Sequence, residues 1–347
     1  MKARVVIGAN FGDEGKGLAV DWLCSQSADW VVRFNGGANA GHTVTTPEGD
    51  RHVFRHFGSG TLLGVPTYLS QFFVCNPILF FEELKQLSRL GIDPVVAAHP
   101  DCLITTHVDM LINQEREKKR GEKRHGSCGV GLHETMQRSR VDGLKITLGD
   151  LWHGSGIRDR LREIGERWSS FRVGKSFAKD EVVEMFAECA ISFAERVHPM
   201  GMGQIKDPVF EGSQGLLLSQ DNAEYAPHLT HSYTGSRNAR VLCAQAKIDP
   251  EFYYISRTYL TRHGAGHLPG EDPSLRYQDN TNGENPWQGT LRFAPLDHGL
   301  RERIARDAGS SPYKLVLTHC DQLPGDGADF YSHGPTREAI LGKQAFV

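Results

Sequence analysis

The sequence predicts an α/β fold in which helices cover both faces of a mostly parallel sheet. Short runs rich in Val, Ile, Leu and aromatic residues alternate with longer amphipathic stretches, which is the pattern of strand–helix–strand units. The first run leads straight into a glycine-rich turn, as strands do in folds that bind phosphate. The 347 residues could form one elaborate domain or two smaller ones, and they show no internal repeat or low-complexity linker. We expect a single domain over residues 1–347.

Six short apolar or β-branched runs are expected to be strands. In order along the chain they are RVVIG at 4–8, WVVRF at 30–34, QFFVC at 71–75, PVFEG at 208–212, FYYIS at 252–256 and KLVLTH at 314–319. Two stretches carry apolar residues at helical spacing. They are PILFFEELKQLSRLG, from Pro77 to Gly91, and DEVVEMFAECAISFAERV at 180–197.

Composition and charge favour a soluble enzyme of the cytoplasm. The net charge of −3 provides no general attraction for nucleic acid or an anionic membrane. The seven cysteines are unpatterned, which suits a reducing compartment, and the sequence has no apolar run of about 20 residues. We expect no signal peptide, because the sequence begins with a predicted strand. The polar stretch NQEREKKRGEKRHGSCGVG at 113–131 is expected to be a solvated helix face that leads into a glycine loop. It lacks the interleaved aromatic residues of a nucleic-acid-binding arm.

The stretch ANFGDEGKGLAVDWL, from residue 9 to 23, has the physical features of a phosphate site without matching a standard motif. Asn10 stands where a Walker A loop has its first glycine, and Gly17 stands where that loop has a hydroxyl. The dinucleotide-binding pattern fails as well, because Gly8 and Gly12 are four residues apart. An ordinary glycine turn with surface charges is the alternative interpretation.

Phosphate binding by this stretch would use backbone and side chain together. Gly12, Gly15 and Gly17 allow backbone N–H groups to approach an anion, and a helix expected to open at Leu18 directs its positive end toward them. Lys16 would supply a point charge. Because the motif has no Ser or Thr, Asp13 is the candidate ligand for Mg²⁺.

A second glycine loop, FNGGANAGHT at 34–43, follows the next predicted strand. It contains Asn35, Asn39, His42 and Thr43. A histidine in such a loop is a candidate for stabilising the charge of a phosphoryl group in transfer.

Six motifs in this order resemble the adenylosuccinate synthetase family over nearly the whole chain. They are GDEGKG at 12–17, NAGHT at 39–43, FEGSQG at 210–215, TRHGAG at 261–266, LTHCD at 317–321 and GPTRE at 334–338. The resemblance implies a P-loop-like α/β fold of reduced length and a ligase that joins L-aspartate to C6 of a 6-oxopurine nucleotide. A nucleoside triphosphate phosphorylates O6, the aspartate amine displaces that phosphate, and Mg²⁺ is the cofactor.

The resemblance also implies roles for individual residues. Asp13 would be the general base and a Mg²⁺ ligand, His42 the general acid, and the carbonyl of Gly41 a second metal ligand. The donor phosphates would contact Gly12, Gly15, Lys16, Gly17, Gly41, His42 and Thr43. The donor base would contact Asp321, Gly334 and Pro335, which favours guanine, although His319 replaces the family's lysine and leaves ATP or dATP open.

The purine monophosphate would lie against residues from several motifs. Besides Asp13 they are Asn39, Ser127, Cys128, Gln214, Thr230, His263 and an arginine from the partner subunit of a homodimer. Arg140 is the first candidate for that arginine and Arg138 the second. Cys128 stands where the family has a threonine hydroxyl.

Two departures from the family bear on the substrate. In NPWQGTLRFAPLD, at 285–297, the run of arginines that holds aspartate is reduced to Arg292, with Thr290 beside it, and His263 replaces a small apolar residue near the ribose. The chain is also about 80–100 residues shorter than bacterial members. These features resemble the short phage members, which act on dGMP and yield N6-succino-2-amino-2′-deoxyadenylate for 2-aminoadenine DNA. Asp13, which some of those enzymes replace, is intact. The alternative is an adenylosuccinate synthetase that acts on IMP in AMP biosynthesis.

Two other classes of protein fit the sequence less well. A phosphate-binding regulator with a degenerate site would lack the base, yet Asp13, Lys16 and His42 are all present. A nucleic-acid-binding module would depend on the basic run REKKRGEKRH, in a chain whose net charge is negative.

Overall fold

The computed structural model describes residues 2–121, 127–154, 156–279, 281–282 and 289–343. Its strands are β1 Lys2–Gly8, β2 Trp30–Arg33, β3 His42–Thr45, β4 Arg51–Phe54, β5 Thr67–Leu69, β6 Val74–Cys75, β7 Val96–Ala98, β8 Leu103–Ile104, β9 His198–Pro199, β10 Pro208–Gly215, β11 Asp249–Arg257, β12 Tyr259–Arg262, β13 Arg292–Pro295, β14 Tyr313–Thr318, β15 Phe330–Ser332 and β16 Ile340–Gly342. Its helices are α1 Lys16–Gln26, α2 Pro77–Arg89, α3 His107–Arg120, α4 Leu132–Arg138, α5 Leu148–Trp152, α6 Ile157–Glu163, α7 Ser169–Val173, α8 Asp180–Arg196, α9 Ser236–Ala246 and α10 Leu300–Ala308.

A ten-stranded sheet runs through the described part of the chain in the order β16-β15-β14-β11-β1-β10-β2-β5-β7-β9. Neighbouring strands are parallel except β15 and β16. β1 lies between β10 and β11, so the chain leaves the first strand toward one side of the sheet and returns later to the other. The carboxyl ends of such central strands form a crevice, where ligands bind in open α/β sheets.

Helices cover both faces of this sheet, which confirms the predicted fold class. Along β1, Val5 and Ile7 pack into one apolar cluster while Val6, between them, packs into another, as the alternation of a strand requires. Helices α9 and α10 pack on the face of Val5, and α1 packs on the face of Val6. A separate core cluster joins α2, α3, α5, α6 and α8 at the far edge.

Five of the six predicted strands lie in the large sheet, and the prediction for QFFVC at 71–75 was correct only for its last two residues. Its first residues form a turn, in which the N–H of Phe73 donates to the carbonyl of Ser70 at 2.9 Å. Only Val74 and Cys75 form a strand, β6, which pairs with β8 outside the large sheet. The run is apolar because it is buried, and it is the preceding β5 that enters the sheet.

Both predicted helices form, and local sequence explains their ends. The side chain of Asn76 accepts a hydrogen bond from the N–H of Leu79, and Pro77 occupies the first turn of α2. The charged stretch forms α3, which begins with a capping box between Thr106 and Asp109. Within the described ranges, no helix is both long and apolar enough to cross a membrane. All seven cysteines are free thiols.

Candidate active site

A cavity of about 730 Å³ lies at the carboxyl ends of the central strands. Its walls come from the loops that follow β1, β10, β11 and β14, together with the second glycine loop and residues 278, 279, 281 and 282. Most of the site residues expected from the sequence line it: Asp13, Gly15, Lys16, Gly17, Asn39, Gly41, His42, Thr43, Cys128, Gln214, His263, Asp321, Gly334 and Pro335. The fold therefore brings residues separated by more than 300 positions into one space.

The first glycine loop is wrapped around a carboxylate of its own. Glu14 accepts hydrogen bonds from the backbone N–H groups of Asn10 at 3.0 Å and Gly12 at 2.8 Å. Its other oxygen lies 2.8 Å from Nζ of Lys16, and both side chains are buried. Burial alone would raise the pKa of Glu14, but Lys16 and the two N–H groups lower it. The N–H of Gly12 is thus used inside the loop, and sequence reasoning missed Glu14 although GDEGKG contains it.

Helix α1 begins at Lys16, two residues before the expected position. Gly15, with a φ of 93°, precedes the helix in a left-handed conformation that favours glycine. A Cβ on Gly17 would lie 2.6 Å from the carbonyl oxygen of Thr43. The backbone of β3 therefore approaches too closely for the Ser or Thr that a Walker A loop would place here.

Asp13 lies in the loop between the strand and the helix, with a φ of 59°. Nε of Arg257 donates to its carbonyl oxygen at 2.6 Å, which holds the strained backbone in place. Burial raises the pKa of the Asp13 carboxyl, and Arg257, Lys16 and His263 oppose that rise. A raised pKa makes the Asp13 carboxylate a stronger base for taking a proton from a ligand.

The cavity also has oxygen atoms suited to Mg²⁺. Asp13 offers a carboxylate and Gly41, on the same cavity, a backbone carbonyl. In the described residues, no three His, Cys, Asp or Glu side chains cluster to form a metal site. Mg²⁺ commonly binds through one or two carboxylates while phosphates and water complete its shell, so this donor set fits that ion.

His42 is held by Glu211. Nδ1 of His42 contacts Oε1 of Glu211, and Nε2 lies 3.3 Å from the carbonyl oxygen of Ser213. Glu211, which also accepts from the N–H of Ser59 at 2.9 Å, is fully buried. Although burial favours its neutral form, Arg33 and His42 lower the pKa of Glu211 to about 2. Burial lowers the pKa of His42, against the charge of Glu211. A triphosphate beside Nε2 would add negative charge and favour the imidazolium form.

A second buried ion pair lines the cavity. Nη2 of Arg257 lies 2.6 Å from Oδ2 of Asp279, and both side chains are almost completely buried. Asp279 also accepts from the N–H groups of Thr281 and Asn282, each at 2.8 Å. Despite burial, Arg257 holds the pKa of Asp279 well below its usual range. No sequence motif had indicated this pair, which fixes the loop that lines the cavity.

The end of the cavity next to β14 and β15 carries the residues expected to contact the donor base. Asp321, Gly334 and Pro335 line it with His319, whose φ is 60°. Burial, with the nearby charge of Arg257, lowers the pKa of His319 to about 3, so its ring is neutral. The hydroxyl of Thr318 donates to the carbonyl of Glu14 at 2.8 Å and joins this end to the first glycine loop.

Several expected site residues do not line the cavity. The hydroxyl of Ser127 accepts from Nδ2 of Asn113 at 2.8 Å and so faces α3. The N–H of Thr230 donates to the carbonyl of Leu218 at 2.9 Å, and Thr230 itself is not part of the lining. Gly12 is also absent from the lining, as is Thr290. Gly126 and residues 285–288 lie outside the described part.

Arg292 is already engaged in a loop. Its Nη1 lies 2.6 Å from Glu271, and its Nη2 donates to the carbonyls of Gly264 and Gly266, each at 2.8 Å. It lies outside the cavity lining. Binding of aspartate by Arg292 would require it to exchange Glu271 for the substrate.

The two arginines expected near a partner subunit occupy different environments. Arg138 is completely buried, where Nη2 lies 2.9 Å from Asp109 and donates to the carbonyl of Ile104 at 2.8 Å. It is a core residue and cannot extend to another chain. Arg140 is exposed and lines a second cavity of about 330 Å³ with His231.

Two solved structures have the same fold. The fully ligated adenylosuccinate synthetase of Plasmodium falciparum matches with a TM-score of 0.79 at 17% identity, over 99% of this chain and 100% of that one. The succinoaminodeoxyadenylate synthetase PurZ of cyanophage S-2L, bound to dGMP and dATP as an energy donor, matches with a TM-score of 0.63 at 15% identity, over 98% and 95%. At these identities, the likeness concerns the fold alone.

Sequence comparisons identify the family. The adenylosuccinate synthetase of Polynucleobacter necessarius is 34% identical over 290 residues, which are 77% of this chain and 62% of that protein. The enzyme of Mycobacterium marinum is 32% identical over 306 residues, which are 82% and 68%. The chain thus spans slightly less than two thirds of several of these relatives. The family model for adenylosuccinate synthetase matches residues 5–289, and this chain therefore belongs to the adenylosuccinate synthetase family.

Proposed function

We propose that this protein is a ligase that joins L-aspartate to C6 of a purine nucleoside monophosphate, after a nucleoside triphosphate has activated O6. The observation that carries the proposal is that Asp13, Lys16 and His42 line one cavity. They provide a carboxylate base, a fixed cation and a histidine oriented by Glu211, which are the groups that phosphoryl transfer to the exocyclic O6 of a purine needs. Membership of the family supports the same reaction.

In the first step, Asp13 takes the proton from N1 of the purine, which makes O6 nucleophilic. O6 forms a bond to the γ-phosphorus of the triphosphate, and the bond from that phosphorus to the β,γ-bridging oxygen breaks. His42 and Lys16 stabilise the charge that moves onto the departing diphosphate. Mg²⁺ bound by Asp13 and the carbonyl of Gly41 would supply further positive charge beside the transferred group.

In the second step, the amine of aspartate attacks C6. The bond between C6 and O6 breaks, inorganic phosphate leaves, and the amine loses a proton. Conversion of O6 into a phosphate ester is what makes this oxygen a competent leaving group. The products are the N6-succino nucleotide, a nucleoside diphosphate and phosphate.

We propose dGMP as the monophosphate substrate. His263 lines the cavity and its Nε2 lies 3.1 Å from the carbonyl oxygen of Gly289. Arg292, which remains from the family's arginine run, is bound to Glu271 outside the cavity lining. Because Nε2 of His263 and the guanidinium of Arg292 are engaged within the protein, we expect neither group to bind a ribose 2′-hydroxyl. The similarity in fold to the cyanophage synthetase, whose structure holds dGMP, agrees with this choice.

IMP is the second candidate substrate. The curated relatives are adenylosuccinate synthetases, and the Plasmodium structure has the higher TM-score. The intact Asp13 is also the residue that ordinary members of the family carry. For the phosphate donor, Asp321 favours GTP, and the neutral His319 that replaces the family's lysine leaves ATP and dATP as alternatives.

The deciding experiment measures phosphate release with dGMP, GMP or IMP, each paired with GTP, ATP or dATP, with and without aspartate. We expect kcat/KM for dGMP to exceed that for GMP about ten- to a hundredfold, because a buried hydroxyl without a partner costs that much. IMP should be poorest, because groups that bind the 2-amino substituent would lose their partner. If IMP is best, the second candidate is correct, and if no pair depends on aspartate, the ligase proposal fails.

We further propose a homodimer in which Arg140 of each chain reaches the monophosphate of the other. Its exposure and its position on the second cavity, beside His231, support an intermolecular role.

A further inference from the structure

Arg55, which follows β4, is an arginine of the cavity that no sequence motif had indicated. It is exposed, lines the cavity, and its Nη1 donates to the carbonyl of Ala38 at 3.4 Å. Over the described ranges it forms no ion pair, whereas Arg257, which lines the same cavity, is neutralised by Asp279. Lys16 is likewise paired with Glu14. Arg55 therefore offers the cavity a positive charge that no carboxylate of the described chain balances.

The backbone of Arg55 is held firmly. Its N–H donates to Oε1 of Glu83 at 2.9 Å, and the N–H of His56 donates to Oε2 of the same carboxylate at 2.7 Å. Glu83 is buried, and its contacts with His52 and His56 lower its pKa to about 2 despite that burial. Because the charged carboxylate of Glu83 holds the main chain at Arg55 and His56, the guanidinium of Arg55 extends into the cavity from a rigid backbone segment.

Two further residues line the cavity with Arg55. Oδ1 of Asn39 is buried without a hydrogen-bond partner among the described residues, and as an amide oxygen it would accept from an N–H or O–H group of a ligand and not bind the anion itself. Cys128 also lines this wall, and the charge of Arg55 opposes the rise in the pKa of its thiol that burial causes. A thiol is a weak donor, so this wall depends on a charged group to hold an anion strongly.

We propose that Arg55 binds the 5′-phosphate of the purine nucleoside monophosphate, an assignment that rests on the proposed function. A ligase of this kind must hold two phosphate-bearing nucleotides at once. The first glycine loop, with Lys16 and the amino end of α1, is suited to the phosphates of the donor. Arg55 supplies the second anion position, and its planar guanidinium can contact two phosphate oxygens together.

The test is a calorimetric comparison of nucleotide and nucleoside binding by the full chain. The ligands are dGMP, GMP and IMP, with their nucleosides, and the proteins are wild type, Arg55→Gln, Arg55→Lys and Arg89→Gln. Arg89 is an exposed arginine on α2 outside the cavity, so its variant controls for the loss of one charge. Thermal melting checks that each variant is folded.

We expect Arg55→Gln to weaken nucleotide binding about ten- to a hundredfold and to leave nucleoside binding unchanged. Arg55→Lys should recover part of the loss, and Arg89→Gln should bind like the wild type. Equal affinity of Arg55→Gln and wild type for the nucleotide would overturn the assignment, as would an equal loss for nucleotide and nucleoside.

The same proteins separate this assignment from the proposed function. A raised KM for aspartate with unchanged nucleotide affinity would assign the guanidinium to the amino acid and overturn the proposal. If nucleotides bind through Arg55 but no aspartate-dependent turnover occurs, the ligase function fails while the phosphate contact stands. A wild-type protein that binds none of the three nucleotides refutes both.

Discussion

Nδ1 of His42 faces the carboxylate of Glu211, and the two side chains are buried together at the wall of the cavity. This contact fixes the ring so that its other nitrogen is directed toward the carbonyl oxygen of Ser213. A histidine without that carboxylate would lose both its orientation and the charge that stabilises its protonated form.

Replacement of His42 by Asn should reduce kcat about 10²-fold or more, the usual size of an acid–base or charge-stabilising contribution. Glu211→Gln, which keeps the shape but removes the charge, should reduce kcat by a smaller factor, about ten- to a hundredfold. Steady-state kinetics with saturating substrates measures both. Near-wild-type turnover in His42→Asn would remove this residue from the mechanism.

Asp13→Ala should abolish turnover and leave nucleotide affinity largely intact, because a base acts in the transition state more than in the ground state. Phosphate release and equilibrium binding are measured on the same preparation. Asp101→Ala, at an exposed acid away from the cavity, is the matched control. Loss of binding and turnover together in Asp13→Ala would indicate a structural role instead.

The pH profile should report Asp13 and its neighbour Arg257. Catalysis needs the Asp13 carboxylate, so kcat/KM should fall as the pH is lowered through its pKa, which burial raises above the usual 3.8. Arg257 is the strongest of the charges that oppose this rise. In Arg257→Gln the acid limb of the profile should therefore move to higher pH. Arg257→Lys, which keeps the charge, should move it less, and an unmoved limb in the Gln variant would exclude Asp13 as the titrating group.

Complementation should reveal the proposed shared site. Arg140→Leu and Asp13→Ala would each be inactive alone, but a mixed dimer would contain one site with both native residues. Mixing the two proteins should restore activity up to about a quarter of the wild-type level, which statistical pairing of the subunits allows. Subunit exchange is followed separately with labelled chains, and exchange without recovered activity would mean that each site is built within one chain.

Arg138 should behave differently from Arg140. Arg138→Met leaves the carboxylate of Asp109 buried without its partner, so the free energy of unfolding should fall by about 3–5 kcal/mol. Arg140→Leu, at an exposed position, should change it by about 0.5 kcal/mol or less. Denaturant unfolding measures both, and equal effects would contradict the core role of Arg138.

The sequence predicted those features that depend on local pattern. The apolar runs at 4–8 and 252–256 form central strands, as predicted. A parallel strand that is buried on both faces is apolar along its length, and this pattern is visible in the sequence. The two glycine loops and their charged residues were identified because each follows such a strand directly. The run at 71–75 misled because a buried turn and a buried strand have the same composition.

Features that depend on pairing across the fold could not be predicted. Asp279 neutralises Arg257 although it lies 22 residues away in a loop, and nothing in either segment marks the other. The motif shows that Glu14 is present. It does not show that the Glu14 carboxylate accepts hydrogen bonds from N–H groups of its own loop. Arg292 was expected to contact a ligand, and its ion pair with Glu271 could not be foreseen, because nothing in the sequence marks this loop carboxylate as its partner.

The contact of Thr318 with the carbonyl of Glu14 joins the last parallel strands to the first loop. Asp13 and Pro335 line one cavity, so the ribosome must have assembled at least 335 residues before a complete nucleotide site exists. The first glycine loop is among the first segments to be synthesised. It lacks the hydrogen bond from the Thr318 hydroxyl until β14 has been synthesised and has paired with β11. A nascent chain cannot gain stability from nucleotide bound to the full site during synthesis. Nucleotide binding can stabilise the chain only after the large sheet is complete.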